Sequence, residues 1–149
     1  MKIGALCNRN VVAVSRDMTV CQAAALMRHH HIGDVLVQDD SGERPVPIGI
    51  VTDRDIVVEV VAAELDPRTL RLGDLLLAPL VTAEAEDTCE DTVRLMAMNG
   101  VRRMPVVDAN GALIGVVTLD DLLPYFAAPL AQLSQLAARG RQREITLRP

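Results

Sequence analysis

The sequence predicts an α/β (α+β) fold in which two β-α-β-β-α repeats pack pseudo-symmetrically into one module, followed by a C-terminal helix and tail. Three observations predict it. The stretch GIVTDRDI (49–56) returns as GVVTLDDL (115–122), preserving a Gly-aliphatic-aliphatic-Thr-x-x-Asp-aliphatic skeleton. Sliding the chain by about 69 positions aligns Gly4/Gly73, Leu6/Leu75, Val12/Val81, Thr19/Thr88, Met27/Met96 and Val37/Val106 in one register. The same order of strand, helix and hairpin signals occurs in each copy. The register slips by three between QDDSGERPVPIG and VDANGALIG, a Gly-containing turn where a length change is tolerated. The boundaries are placed at 1–66 for the first repeat, 67–126 for the second and 127–149 for a C-terminal amphipathic helix and basic tail.

Each copy opens with a short aliphatic stretch, Val11 to Val14 or Leu80 to Ala83, that reads as a strand. Thr19 with Gln22 and Thr88 with Asp91 have the spacing of a capping box at a helix start. Val20, Ala24 and Met27, and in the second copy Cys89, Val93 and Met96, then recur at helical spacing. Val35–Val37 and Ile48–Val51, like Met104–Val107 and Ile114–Val117, flank turns carrying Ser41-Gly42 and Asn110-Gly111, which predicts two hairpins.

Ile56, Val57, Val60, Val61 and Leu65 favour a helix, with their β-branching a weak signal for strand. Asp66-Pro67 ends it. A repeat of about 60 residues buries little by itself, so the two are expected to pack face to face. Pro124 and Pro129 predict an irregular last helix. Leu130, Leu133 and Leu136 then predict a short amphipathic helix with a basic, mobile end.

Composition narrows the function. Half of the 149 residues are hydrophobic, no apolar run reaches the length of a membrane span, and MKIGALCNRN lacks the core of a secretory signal, so a cytoplasmic location is expected. Cys7, Cys21 and Cys89 are odd in number and form no C-x-x-C pair, as for reduced, packed thiols. The net charge of −5, with Tyr125 and Phe126 as the only Phe, Tyr or Trp, disfavours nucleic acid. Three consecutive histidines, His29 to His31, point about 100° apart on a helix and cannot close on one metal ion. They read as a solvated helix end, with His30 or His31 left able to meet a phosphate. No H-E-x-x-H, Walker or G-x-S-x-G motif is present, and Cys21 with His29 lacks an orienting third group, so no catalytic residue and no enzyme are expected.

Thr52 with Asp55 and Thr118 with Asp121 can be helix caps and nothing more. A carboxylate at a helix start beside a strand end can also accept the hydroxyls of a ribose, as in dinucleotide-binding folds. Both readings stand on the spacing alone.

The repeat order, the motifs GIVTDRDI and GVVTLDDL, and VRRMPVVD (101–108) resemble tandem cystathionine-β-synthase (CBS) domains, a Bateman module, of the stand-alone bacterial type, over roughly residues 1–126. The resemblance implies a regulatory module, usually a homodimer, with two clefts for AMP, ADP, ATP or S-adenosylmethionine as effector. It implies no catalytic cofactor and no metal. It places ribose contacts on Thr52 and Asp55 and on Thr118 and Asp121. The adenine pockets would fall on Val11, Val12, Ala13, Ile32 and Val35, and on Val81, Thr82, Val101 and Met104. Phosphate contacts would fall on Arg102 and Arg103, with Arg54 either at the ligand or on the helix surface.

The copies differ where Gly33-Asp34 stands against Arg102-Arg103. Asp55 with the two arginines is expected to suit a phosphorylated adenosine, whereas Asp121 facing Asp34 is expected to leave a weak, empty or nucleoside-like site. The sensor would act on an unknown regulated protein; alternatives are an interaction scaffold with degenerate sites, in which both motifs are only caps, and nucleic-acid or membrane association through the Arg-rich tail, with charge and composition weighing against that last one.

Overall fold

The computed structural model describes residues 1–76 and 78–148. Its elements run α1 (Ile3–Leu6), β1 (Ala13–Ser15), α2 (Val20–His30), β2 (Asp34–Asp39), β3 (Val46–Thr52) and α3 (Asp53–Asp55), which continues as a π-helix over Ile56–Val61. A 3-10 turn (Leu72–Leu75) leads to β4 (Ala83–Glu84), α4 (Cys89–Asn99), β5 (Arg103–Val107), β6 (Leu113–Thr118) and α5 (Leu119–Leu147). Each repeat makes a three-stranded sheet, ordered β1-β2-β3 and β4-β5-β6. In each, the first strand is parallel to the second and the hairpin is antiparallel with one register shift.

Local chemistry explains the element starts. Thr19 and Gln22 form a complete capping box at α2. At α4 the Thr88 hydroxyl accepts the Asp91 N–H, but the Asp91 carboxylate takes the Thr88 hydroxyl instead of its amide, so the box is half made. The first strands begin at Ala13 and Ala83, two or three residues later than expected. The buried helix positions are Ala23 and Thr92 where Ala24 and Val93 were expected. Thr92 is accommodated because its hydroxyl donates to the Thr88 carbonyl.

The π-helix resolves the ambiguous Ile56–Val61 run. Ala62 donates to the Val57 carbonyl and Leu65 to that of Val60, both five residues back.

The two sheets do not share one core. Val14, Val20, Met27, Val35, Val51 and Val60 centre the first, and Ala83, Cys89, Met96, Met104, Val117 and Leu122 the second. Each core is closed by a segment from elsewhere in the chain. Ile3 and Cys7 belong to the second core, while Leu70, Leu72 and Leu75 pack on the first. The backbone bonds are reciprocal: Ile3 and Gly4 donate to the Asp87 and Ala85 carbonyls, and Leu72 and Gly73 donate to those of Met18 and Arg16. Asn8 and Val116 exchange both N–H···O bonds, lengthening the second sheet by one bridge.

The chain after Thr118 differs from expectation. Instead of a short helix with a mobile end, α5 is one helix of 29 residues containing both Pro124 and Pro129, about 44 Å long. Each proline removes one helical N–H, but the complete Thr118–Asp121 box and the run of Ala, Leu, Gln and Arg around them favour helix strongly enough to continue it. Leu122 is buried, and every described side chain from Ala127 onward is exposed.

Candidate functional site

The repeated Thr-x-x-Asp stretches sit where a hairpin's second strand turns into a helix. Thr52 donates its N–H to Asp55 Oδ2 at 2.8 Å, and Asp55 returns its N–H to Thr52 Oγ1 at 3.1 Å. In the second repeat Thr118 donates its N–H to Asp121 Oδ2 at 2.8 Å and its hydroxyl to the same oxygen at 2.7 Å. Both are complete capping boxes. In each, Oδ1 of the aspartate accepts nothing from the described residues, so the cap uses only half of the carboxylate.

Two clefts lie between the repeats, and each aspartate opens onto one of them. The Asp55 cleft, about 590 Å³, joins Thr52, Arg54 and Asp55 of the first repeat to Val81, Val101, Arg102 and Arg103 of the second. The Asp121 cleft, about 440 Å³, joins Thr118 and Asp121 to Val11, Val12, Ile32 and Asp34 of the first repeat. Both volumes suit a small-molecule ligand. Ile50, Arg102 and Arg103 line both clefts and so form their common wall.

Of the residues singled out in the sequence, Val35 and Met104 line neither cleft. Both are fully buried in the cores, because strand alternation turns them inward and sends Asp34 and Leu36 to the Asp121 cleft. Ala13 and Thr82 also lie outside both linings, as do His29, His30 and His31. His31 instead ends α2 in a left-handed conformation (φ 54°), donating its N–H to the Met27 carbonyl.

Several lining residues escaped sequence reasoning. Asn8 and Asn10 enter the Asp121 cleft, and Leu75, Leu76 and Leu80 the Asp55 cleft, by way of the exchanged segments. Only the shared register of those segments with the repeat offered a hint. Glu59 reaches the Asp55 cleft from the π-helix.

The clefts differ in charge. The Asp55 cleft has Arg54, Arg102 and Arg103 against Asp55 and Glu59. The Asp121 cleft has Asp34, Asp120 and Asp121 against Arg102 and Arg103. Asp34 and Arg103, at corresponding strand starts opposite Thr52 and Thr118, form an ion pair across the boundary between repeats. Among the described residues no group of three or more His, Cys, Asp or Glu is arranged to hold a metal ion, and no helix is long and apolar enough to cross a membrane.

Known proteins share this architecture. The CBS domain family profile matches residues 3–62 and 72–128. The CBS domain-containing protein YhcV of Bacillus subtilis is 37% identical over 112 residues, 75% of this chain and 76% of YhcV. A crystal structure of Hypoxic Response Protein I with two coordinated zinc ions superposes with a TM-score of 0.72 at 31% identity, covering 83% of this chain and 98% of that one. The cytosolic domain of the Mg2+ channel MgtE in complex with ATP gives a TM-score of 0.69 at 31% identity, covering 83% of this chain and 48% of that one. With both repeats matched in sequence and in fold, the chain belongs to the CBS domain family as a tandem pair.

Proposed function

We propose that the chain is a regulatory sensor of a phosphorylated adenosine, AMP, ADP or ATP, held in the Asp55 cleft. The observation that carries this reading is the composition of that cleft. A helix-capping carboxylate with one uncommitted oxygen lies beside three guanidiniums and the aliphatic side chains of Leu80, Val81 and Val101. The carboxylate suits a ribose diol, the aliphatic wall a purine face, and Arg54, Arg102 and Arg103 a phosphate. The related MgtE domain with ATP supports an adenosyl ligand for this architecture.

The Asp121 cleft, with its excess of carboxylates, takes a nucleoside-like ligand or S-adenosylmethionine weakly, or stays empty. The signal passes to a regulated protein through a homodimer, a role supported by Val57, Val61 and Leu123, which the helices after the hairpins leave exposed. No step of the reading is catalytic.

Thermal unfolding with AMP, ADP, ATP and S-adenosylmethionine tests it. A ligand at 100 times its dissociation constant adds about 2.7 kcal/mol, enough to raise the midpoint by several degrees. The shift is expected with a phosphorylated ligand, to vanish in Asp55→Ala and to survive in Asp121→Ala. No shift at millimolar concentrations favours the second reading, an interaction scaffold in which both motifs are only caps. The completeness of the two capping boxes is what supports that alternative.

A further inference from the structure

We propose that Asp34 is a specificity-determining residue that gates Arg103, so that the Asp55 cleft distinguishes phosphorylated ligands from nucleosides by competition within the protein. The inference rests on the reading of the Asp55 cleft as a nucleotide site. Arg103 lines both clefts, whereas Asp34 lines only the Asp121 cleft. Their ion pair thus draws the guanidinium toward the Asp121 side of the common wall. The two side chains are 37% and 31% exposed, which leaves the pair able to break without unfolding anything around it.

A phosphate in the Asp55 cleft is a second anion within the compass of the same guanidinium. Arg103 can satisfy it only by loosening Asp34, so part of the phosphate's attraction is spent against a resident carboxylate. A nucleoside makes no such demand and binds without disturbing the pair. The exchange also has a consequence on the far side of the wall. Once Arg103 turns to the phosphate, Asp34 joins Asp120 and Asp121 without its counter-charge. Occupancy of the Asp55 cleft by a phosphorylated ligand therefore disfavours an anion in the Asp121 cleft, and by linkage the reverse holds equally.

Calorimetric titration of ADP, adenosine and inorganic pyrophosphate into the full chain, Asp34→Asn, Arg103→Gln and the double variant tests this. With every variant carried in the Asp121→Ala background, so that the Asp55 cleft alone is read, Asp34→Asn is expected to tighten ADP about twofold to fivefold, the scale of a partly exposed charge pair, and to leave adenosine unchanged. In the Arg103→Gln background, Asp34→Asn is expected to do nothing for ADP, since its effect runs through that guanidinium. Unchanged ADP affinity in Asp34→Asn, an equal shift for adenosine, or an effect that persists without Arg103 overturns the gate. If the full chain binds neither ADP nor adenosine at millimolar concentration, the sensor reading falls and pyrophosphate decides the gate alone. Pyrophosphate tightened by Asp34→Asn and weakened by Arg103→Gln upholds the gate; pyrophosphate indifferent to both, or not bound, overturns it.

Discussion

Gly115 lies so close to Asn8 that a Cβ added to it would sit 2.5 Å from the Asn8 carbonyl oxygen. Its counterpart Gly49 faces Leu76, with Cδ2 at 2.2 Å from the same imagined atom. The glycine of the repeated motif is therefore where an exchanged segment crosses the sheet, and its role is packing.

Substitution separates the two sites. Gly115→Ala meets backbone already tied by two hydrogen bonds to Val116, and is expected to cost about 1–3 kcal/mol. Gly49→Ala meets the end of a leucine side chain, which can rotate, and is expected to cost less. Urea unfolding of the two variants checks the order; equal losses would contradict it.

The capping carboxylates should show their two uses separately. Without ligand, Asp55→Ala and Asp121→Ala each lose the carboxylate that accepts the Thr N–H, half of a capping box, and are expected to cost about 1 kcal/mol. Asp91→Ala, which removes no bond to a backbone amide, is expected to cost less. Denaturant midpoints measured without nucleotide test this apart from any binding.

Burial pushes the Cys7 and Cys89 thiols above their ordinary value, whereas Cys21 is exposed. The thiolate is the reactive form, so labelling of the native protein at pH 8 with iodoacetamide is expected to stop at Cys21. Mass spectrometry should find one adduct per folded chain and three after unfolding. Native labelling of Cys89 would mean that the second core opens.

The Asp108 carboxyl is held below its ordinary value of 3.8 by the N–H groups of Ala112 and Asn110 in the second hairpin turn. A lowered folded value stabilises above the unfolded pKa, and that contribution is lost as pH falls through the folded one. Asp108→Ala is therefore expected to lower the midpoint at pH 7, with the gap to the parent narrowing below about pH 4. A gap independent of pH would assign the loss to turn geometry alone.

Beyond Ala128, α5 touches no core. Truncation there is expected to change the stability of the two repeats by no more than about 0.5 kcal/mol, the scatter of surface changes. Circular dichroism should show helix content falling while the unfolding midpoint stays.

Much of this was legible because the signals were local. Thr19–Gln22, Thr52–Asp55 and Thr118–Asp121 announce helix starts within four residues, and the hairpins announce themselves through alternation and turn residues. The π-helix was only half legible, since Ile56–Val61 satisfies helical spacing without revealing its width. Val35 and Met104 lie one step of alternation from the cleft-lining Asp34, Leu36 and Arg103, an offset that adjacency to a motif cannot reveal. The continuity of α5 through Pro124 and Pro129 is a balance of propensity against lost hydrogen bonds that no single residue decides. The exchange of Ile3–Asn8 with Leu70–Leu76 left only its shared repeat register in the sequence, because its partners lie far apart along the chain and periodicity has no range.

That exchange also sets an order of assembly. The first core has all of its pieces once residue 76 has been made, so it can close while the rest of the chain is still being synthesised. The segment carrying Ile3, Cys7 and Asn8 emerges before either repeat is complete, yet its seat does not exist until Val116 and Val117 are in place. Residues made ahead of the first repeat's strands are thus among the last to find their partners, and through that interval they carry exposed apolar side chains. Slow closure and sensitivity to crowding by other nascent chains are the expected cost of tying two repeats together by their own beginnings.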